Sequence, residues 1–409
     1  GKMAGGGGGS LKKKTSEAGE VIVEWLRTEG LLEKEEEVNQ NISTAERTGG
    51  IIEPLPKLQW FIDVNKKIPE RGDKTLKELM LEPVREGKIK ILPEHFEKVY
   101  YNWIENLRDW CISRQIWYGH QIPVWYKTNN EIFVGLEAPE GADWVQDPDT
   151  LDTWFSSGLW TFSTLGWPDL NAKDLKDFHP TSVINPGYEI LFFWVARMIL
   201  MSQYLIGQIP FETIYLHGIL RDAKGQKFSK SLDNGVDPIE IINEYGADAL
   251  RMAMIVGIGP GADAKFDIQK VKAYGKFTNK IWNATRFVLE NTKDIDVNKT
   301  PVYDEEDAGS DLELKNLISD INKEMDEYKF YIVAEKVYNT FADVIIERSK
   351  KKILEGRNVA SAKMILHTQL ITLLKLMHPF MPFITEEIWL TIHKDNNKLL
   401  MVEKWPNNA

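Results

Sequence analysis

Residues 224–234 read KGQKFSKSLDN, and the Lys-x-Ser-Lys-Ser pentad within it sets Lys227 and Lys230 three apart, interleaved with Ser229 and Ser231. Two ammonium groups and two hydroxyl donors on one short loop suit the stabilisation of charge that builds on transferring or departing phosphates. Lysine, a mobile point charge on a flexible stem, fits a phosphate that moves during reaction. The pentad alone fits an exposed, solvated lysine loop equally well, so its surroundings must decide.

Those surroundings form a β-α-β pattern. TSVIN (181–185) is a strand candidate, Pro186-Gly187 breaks it, and an apolar helix runs to about Leu205. FETIYLHGIL (211–220) is a second, buried strand, and the lysine loop lies just beyond its end. This order predicts a parallel sheet with a right-handed crossover and ligands at the carboxyl ends of its strands. NPGYE (185–189) and LHG (216–218) both fall there. Upstream, residues 51–178 are mixed, with a short strand in EIFVG (131–135) and mostly loop over 141–158. Glu17–Glu37 has the pattern of a short amphipathic helix, preceded by a Gly/Ser tether and a basic cluster. After residue 265 the pattern is helical throughout, with Ala334, Tyr338, Phe341 and Ile345, then Leu366, Leu370, Leu373 and Met377, at helical spacing. HPFMPF (378–383) stops one helix and ITEEIWLTIHK restarts another. The fold class expected is α/β followed by all-α.

Length and composition are compatible with this. A chain of 409 residues has room for two or three domains, and 43% hydrophobic with 27% charged residues is ordinary for a globular protein. The net charge of −11 means that any nucleic-acid contact must use a local basic face, for which ERSKKKILEGR (347–357) is a candidate. One cysteine, Cys111, allows neither an internal disulfide nor a cysteine zinc site and suits a reducing, cytoplasmic setting. The apolar run at 190–206 carries Arg197 in its middle, at a cost of about 2.5–3.5 kcal/mol in a bilayer, and reads as a buried helix of a soluble domain with no membrane partner.

The lysine loop resembles the Lys-Met-Ser-Lys-Ser loop of the class I aminoacyl-tRNA synthetases, with Phe228 where methionine usually stands, an inward-packing position. NWIENLRDWCISRQIWYGHQIPVWY (102–126), DPDTLDTWFSSGLWTFSTLGWP (147–168), GYEILFFWVARMILM (187–201) and YLHGILRDAKGQKFSKS (215–231) are similar to the valyl-tRNA synthetases of that class. RTGGIIEPLPKLQWFI (47–62) resembles the segment where their editing insertion returns to the catalytic domain, and HPFMPFITEEIW (378–389) the closing helices of their anticodon-binding domain.

The resemblance implies a remnant of the editing insertion over 1–50, the second half of a Rossmann-type catalytic domain over 51–264 and a helical anticodon-binding domain over 265–409. It implies valine–tRNA ligase chemistry: ATP, with Mg2+, activates valine to valyl-adenylate, which is passed to tRNA(Val). Lys230 and Lys227, with Ser229 and Ser231, would act on the pyrophosphate side. Gly187 and Glu189 would lie by the ribose, and His217 and Gly218 by the adenine. Trp154, Trp117 and Tyr118 would wall the valine pocket. The family more often has Asp at the position of Glu189 and Trp at that of Tyr118. None of the seven histidines sits in the family's His-Ile-Gly-His context, and the family's zinc-binding cysteines are absent, so no structural zinc is expected. A separate chain carrying the first catalytic half is therefore an expected partner. The other reading is a catalytically inactive, synthetase-derived tRNA-binding module.

Overall fold

The computed structural model describes residues 15–45, 48–52, 54, 56–128, 131–141, 143–228, 234–296, 302–343, 345–393 and 398–407. The chain divides between Trp60 and Phe61 into two units. In the first, the helix Thr15–Thr28 is shorter than its sequence pattern, which runs to Glu37. It stops because Gly30 adopts a left-handed φ of 67° and the Leu31 and Leu32 amides turn back to the Leu26 carbonyl.

The second unit holds two apolar cores in sequence. The earlier one surrounds a three-stranded parallel sheet in which Phe211–Tyr215 lies between Lys90–Leu92 and Thr181–Ile184. Thr213 faces both Lys90 and Val183, so the register of the three strands is common. Ile91, Phe211, Ile214 and Leu216 are all but fully buried, each worth roughly 1.5–3 kcal/mol of burial. The helix Leu76–Arg85 starts at a capping box in which Thr75 and Glu78 satisfy each other's amides, and it packs against Ala196–Leu205.

The crossover from 181–184 to 211–215 is helical, as its apolar run requires, but not uniformly so. A 3-10 turn at Tyr188–Ile190 leads into a π-helical stretch, Leu191–Val195, before the α-helix Ala196–Leu205 begins. Such π-helical turns are uncommon and recur at functional sites. Arg197 is buried, with its guanidinium 4.0 Å from the Trp110 ring centre and 4.9 Å from that of Phe192. Burial pushes its pKa down to about 10, against the opposing pull of Asp152. The stretch 141–158, expected to be mostly loop, contains the strands Val145–Gln146 and Thr150–Leu151 and the helix Thr153–Ser157. Strands of two residues leave too short an alternation for sequence to register.

From Pro238 the described chain is mainly helical, interrupted by the short strand Ala264–Lys265. Asp237 caps Pro238–Tyr245, Gly246 ends it, and Ala247–Ile255 follows at once. Ala249, Met252 and Ala253 of that second helix join the later core with Ile268–Asn291, Glu305–Asp326, Phe330–Asp343, Val359–Met377 and Pro382–Ile392. The expected periodic positions Ala334, Phe341, Leu366, Leu370, Leu373 and Met377 are buried there. Two side chains of Ala247–Ile255 hold the start of the last helix through its backbone. The Asp248 carboxylate accepts from the amides of Phe383 (3.3 Å) and Ile384 (2.7 Å). Arg251 donates to the carbonyls of Phe380 (3.1 Å) and Pro379 (2.9 Å).

The run expected to offer a basic face is spent internally. Lys352, 1% exposed, bonds Asp304 and Asp307 at 2.7 Å, Arg348 bonds Glu313 at 2.7 Å, and Arg357 bonds Glu355 at 2.8 Å. Lys350 sits over the Phe287 ring, and Lys351 lies 4.0 Å from Glu355. The acids come from the helix Glu305–Asp326 and from the run itself, so these cations join helices and do not form a free positive patch. None of the described helices is long and apolar enough to cross a membrane.

Candidate active site

The carboxyl ends of the sheet bring two of the sequence-selected segments together. Gly187 and His217 form a parallel bridge: the His217 amide donates to Pro186 O (3.0 Å) and the Tyr188 amide to His217 O (3.0 Å). The chain then turns from 217 into the short strand Leu220–Arg221, which pairs in parallel with Ala264–Lys265. Gly218 is required by this crossing: a Cβ there would fall 1.8 Å from the Ala262 carbonyl oxygen. Its lack of a side chain thus serves close approach of protein backbone. At Gly187 an added Cβ would stand in van der Waals contact with the His217 ring, at 3.4 Å, and with Ile219 Cδ1, at 3.6 Å.

Beyond Arg221 the chain reverses. Arg221 bridges antiparallel to Lys227, Gly225 takes a φ of 81°, and the Asp222 amide bonds Gln226 O at 2.8 Å. Asp222 closes the turn with its side chain, accepting from the amides of Lys224 (2.9 Å) and Gln226 (2.8 Å) and from Asn234 Nδ2 (3.0 Å). Asn234 first, and then the Gln226 amide, hold the Asp222 carboxyl below its ordinary range. The turn delivers Lys227 to Glu189, where Nζ and Oε2 meet at 2.7 Å. Phe228 is half-buried, its ring 6.4 Å from that of Phe266, in keeping with an inward-packing middle position. Ser229, Lys230 and Ser231 lie outside the described residues.

The third group of selected residues stands apart. Asp152 caps the helix Thr153–Ser157 through the Trp154 amide (3.1 Å), while its other oxygen takes Arg114 Nη2 (2.7 Å) and Trp110 Nε1 (3.2 Å). That network sets the half-buried Trp154 ring alongside Phe193. Trp117 and Tyr118, expected as the facing walls, are 96% and 87% exposed and make no ring contact among the described residues. The structure does not bring them against Trp154. Among the described residues no group of three or more His, Cys, Asp or Glu side chains is placed to hold a metal ion.

Sequence reasoning missed Asp263 and Tyr188. The Tyr188 hydroxyl, Ile219 amide and Arg221 guanidinium all converge on Asp263, between 42 and 75 residues away along the chain. No local pattern announces such a long-range meeting.

A strand-end bridge, a stapled lysine turn and a helical bundle in chain order are the parts expected of the family named above. The model of class I tRNA synthetases (I, L, M and V) matches residues 20–144 and 135–267. The chain belongs to the class I tRNA synthetases. Residues 312–409 match the anticodon-binding domain of tRNA ligase. The valine–tRNA ligase of Bacillus licheniformis is 43% identical over 398 residues, which is 94% of this chain and 44% of that protein. That of Petrotoga mobilis is 44% identical over 410 residues, 95% of this chain and 45% of its own length. The chain thus spans less than half the length of the curated relatives it matches. Among solved structures, a Mycobacterium tuberculosis methionyl-tRNA synthetase in complex with methionyl-adenylate is similar with a TM-score of 0.67 at 17% identity, over 90% of this chain and 70% of that one. The leucyl enzyme of an Agrobacterium radiobacter K84 LeuRS–tRNA–LeuAMS complex gives 0.61 at 21% identity, over 74% of this chain and 42% of that one. These neighbours share the fold: part of a class I catalytic domain followed by a helical, anticodon-binding type of domain.

Proposed function

We propose that this chain takes part in valine activation and transfer to tRNA(Val), supplying the lysine-loop side of an ATP site over 51–264 and a tRNA-binding helical domain over 265–409. The observation that carries the reading is the meeting of Lys227 with Glu189 across the Gly187–His217 bridge. Residues assigned to the ribose, adenine and pyrophosphate ends of one nucleotide thereby lie on adjoining segments at the mouth of one sheet. In the reaction proposed, valine's carboxylate attacks the α-phosphorus, and the P–O bond to pyrophosphate breaks. Lys230 and Lys227, with the hydroxyls of Ser229 and Ser231, bind the negative charge that gathers on the departing group. Glu189 accepts from ribose hydroxyls, Gly187 lets the sugar approach the backbone with no side chain in between, and His217 and Gly218 lie by the base. Mg2+ would accompany the nucleotide's phosphates. Trp154 forms one wall of the valine pocket, and Trp117 and Tyr118, exposed in this structure, would have to swing inward to supply the other.

The outer edge of the strand Thr181–Ile184 has no partner among the described strands, and Trp160, Phe178 and Val183 are exposed about it. We place the first half of the nucleotide fold against this edge, in the same polypeptide or a separate one, since a parallel sheet is normally covered. A cytoplasmic setting, where ATP and tRNA are abundant, belongs to the same proposal.

The test is valine-dependent ATP–pyrophosphate exchange by the 409-residue chain supplied with the first half of the nucleotide fold from a related valine–tRNA ligase, with isoleucine and leucine as competitors and Lys230→Ala as control. Exchange with valine that vanishes in the variant is the expected result. A folded chain that binds tRNA(Val) without exchange would replace this reading with that of a tRNA-binding module, which the exposure of Trp117 and Tyr118 favours.

A further inference from the structure

The segments that carry the proposed nucleotide contacts converge on one carboxylate. Asp263 Oδ1 accepts from the Ile219 amide at 2.8 Å, while Oδ2 accepts from Arg221 Nε at 2.6 Å and from the Tyr188 hydroxyl at 3.3 Å. Each partner is next to a residue already assigned. Tyr188 lies between Gly187 and Glu189, Ile219 follows Gly218, and Arg221 is the residue bridged to Lys227. Arg221 also donates to Gly225 O at 3.3 Å, so the same guanidinium spans from Asp263 to the tip of the lysine turn.

We propose that Asp263 is a positioning residue for nucleotide activation, holding the 187–189 segment, the 217–219 segment and the base of the lysine loop in one frame. The inference rests on the nucleotide reading above for its purpose, though not for its geometry. The charge states of the cluster agree with it. Burial alone would raise the Asp263 carboxyl, but the Ile219 amide, Arg221 and Tyr188 together hold it below its ordinary range. Arg221 is raised, chiefly by its hydrogen bond to Asp263.

The carboxylate's work is separable from that of the backbone around it. The amides of Gly261, Ala264 and Phe266 bond Leu216 O, Ile219 O and Arg221 O at 2.8, 3.1 and 2.8 Å whatever side chain residue 263 carries. Losing the carboxylate therefore leaves the strand pairing in place and frees only the side-chain frame. Asparagine cannot replace it, because either orientation of its amide would turn a donor towards the Ile219 amide or the Arg221 guanidinium, neither of which can accept.

The test compares the wild-type chain with Asp263→Asn and Tyr188→Phe. The first readout is the rate of tryptic cleavage after Arg221, Lys224 and Lys227, with thermal unfolding followed alongside. The expected result is cleavage about tenfold faster in Asp263→Asn with the unfolding midpoint little changed, because only a local opening is made easier. The second readout is valine-dependent ATP–pyrophosphate exchange as a function of ATP. Expected here is a kcat lower by about a hundredfold with a much smaller change in KM, since misplacement of reacting groups by an ångström costs on that scale. Tyr188→Phe, which removes a single hydroxyl, should show the same split more weakly. A purely structural role would lower stability and leave the residual active fraction with wild-type kinetics, which would overturn the proposal. Wild-type cleavage in Asp263→Asn would overturn it too. A wild-type chain with no exchange even when the first half of the nucleotide fold is supplied counts against the nucleotide reading, and the cleavage comparison still decides whether Asp263 sets the frame.

Discussion

Gly218 and Lys227 show two ways in which a single residue matters near the sheet's carboxyl end. With the Ala262 carbonyl 1.8 Å from where a Cβ would stand, Gly218→Ala must push one backbone segment off another. A loss of roughly 1–3 kcal/mol is expected from such overpacking, measured as a lower urea midpoint, with exchange activity falling further than stability. Lys227→Ala should behave oppositely. Its ion pair with Glu189 is solvent-exposed, so stability should change by under about 1 kcal/mol while exchange falls severely. Equal losses of stability and activity would show that Lys227 serves only the fold. At this scale the sequence was informative about type and spacing: the meeting of the Lys227 turn with the strand-end His-Gly segment and the inward Phe228 were legible. Asp263 was not, because its meaning comes from partners distant along the chain. Trp117 and Tyr118 show the opposite failure, since an aromatic's burial depends on what faces it and not on its own chemistry.

Between helices, one buried lysine does the joining. Lys352 ties its own helix, Ile345–Leu354, to the start of Glu305–Asp326 through Asp304 and Asp307, while Asn358 and Ser361 bond the same two acids from the start of Val359–Met377. Lys352→Ala leaves Asp307, itself 3% exposed, without its counter-charge, and a destabilisation of about 3–5 kcal/mol is expected in urea unfolding. A loss below 1 kcal/mol would mean that water takes the lysine's place. The Asp304 carboxyl is held far below its ordinary range, first by its hydrogen bond to Lys352. A lowered folded pKa contributes stability above the ordinary carboxylate range and loses it as pH falls towards the folded value, so the joint should weaken only in strong acid. Helices as elements were the most legible part of the sequence, because the apolar period of 3.6 recurs over many turns. The ion pairs of the run 347–357 were not legible, since the acids that pair with it lie largely on another helix.

For the molecule as a whole, His179, His367 and His378 each have a pKa lowered first of all by burial. His179 makes contacts with Thr161 O (3.3 Å) and Ser202 Oγ (3.4 Å) inside the earlier core, and His378 with Thr385 Oγ1 (2.8 Å) in the later one. A histidine kept neutral by folding binds its proton more readily once unfolded, so stability should fall as pH drops below the ordinary histidine range of about 6.5. Urea midpoints at successive pH values should decline through that range, and His179→Gln should flatten the decline. A flat wild-type profile would exclude the histidines as its cause. Chain order, α/β and then all-α, was readable from the switch in apolar period, whereas the 3-10 and π-helical turns at 188–195 leave no separate mark in the sequence.

The joint between Ala247–Ile255 and the last helix carries a consequence for inheritance. Asp248 and Arg251 grip only backbone amides and carbonyls of residues 379–384. A grip on peptide groups is indifferent to the side chains mounted on them. Descendants of this chain can therefore rewrite the exposed Pro379 and Phe383, so long as the path of the backbone survives, without a matching change across the joint, while the buried Phe380 and Met381 stay tied to the core. Its memory is kept in two letters, an aspartate and an arginine three residues apart, and drift on the far side leaves them no partner with which to covary.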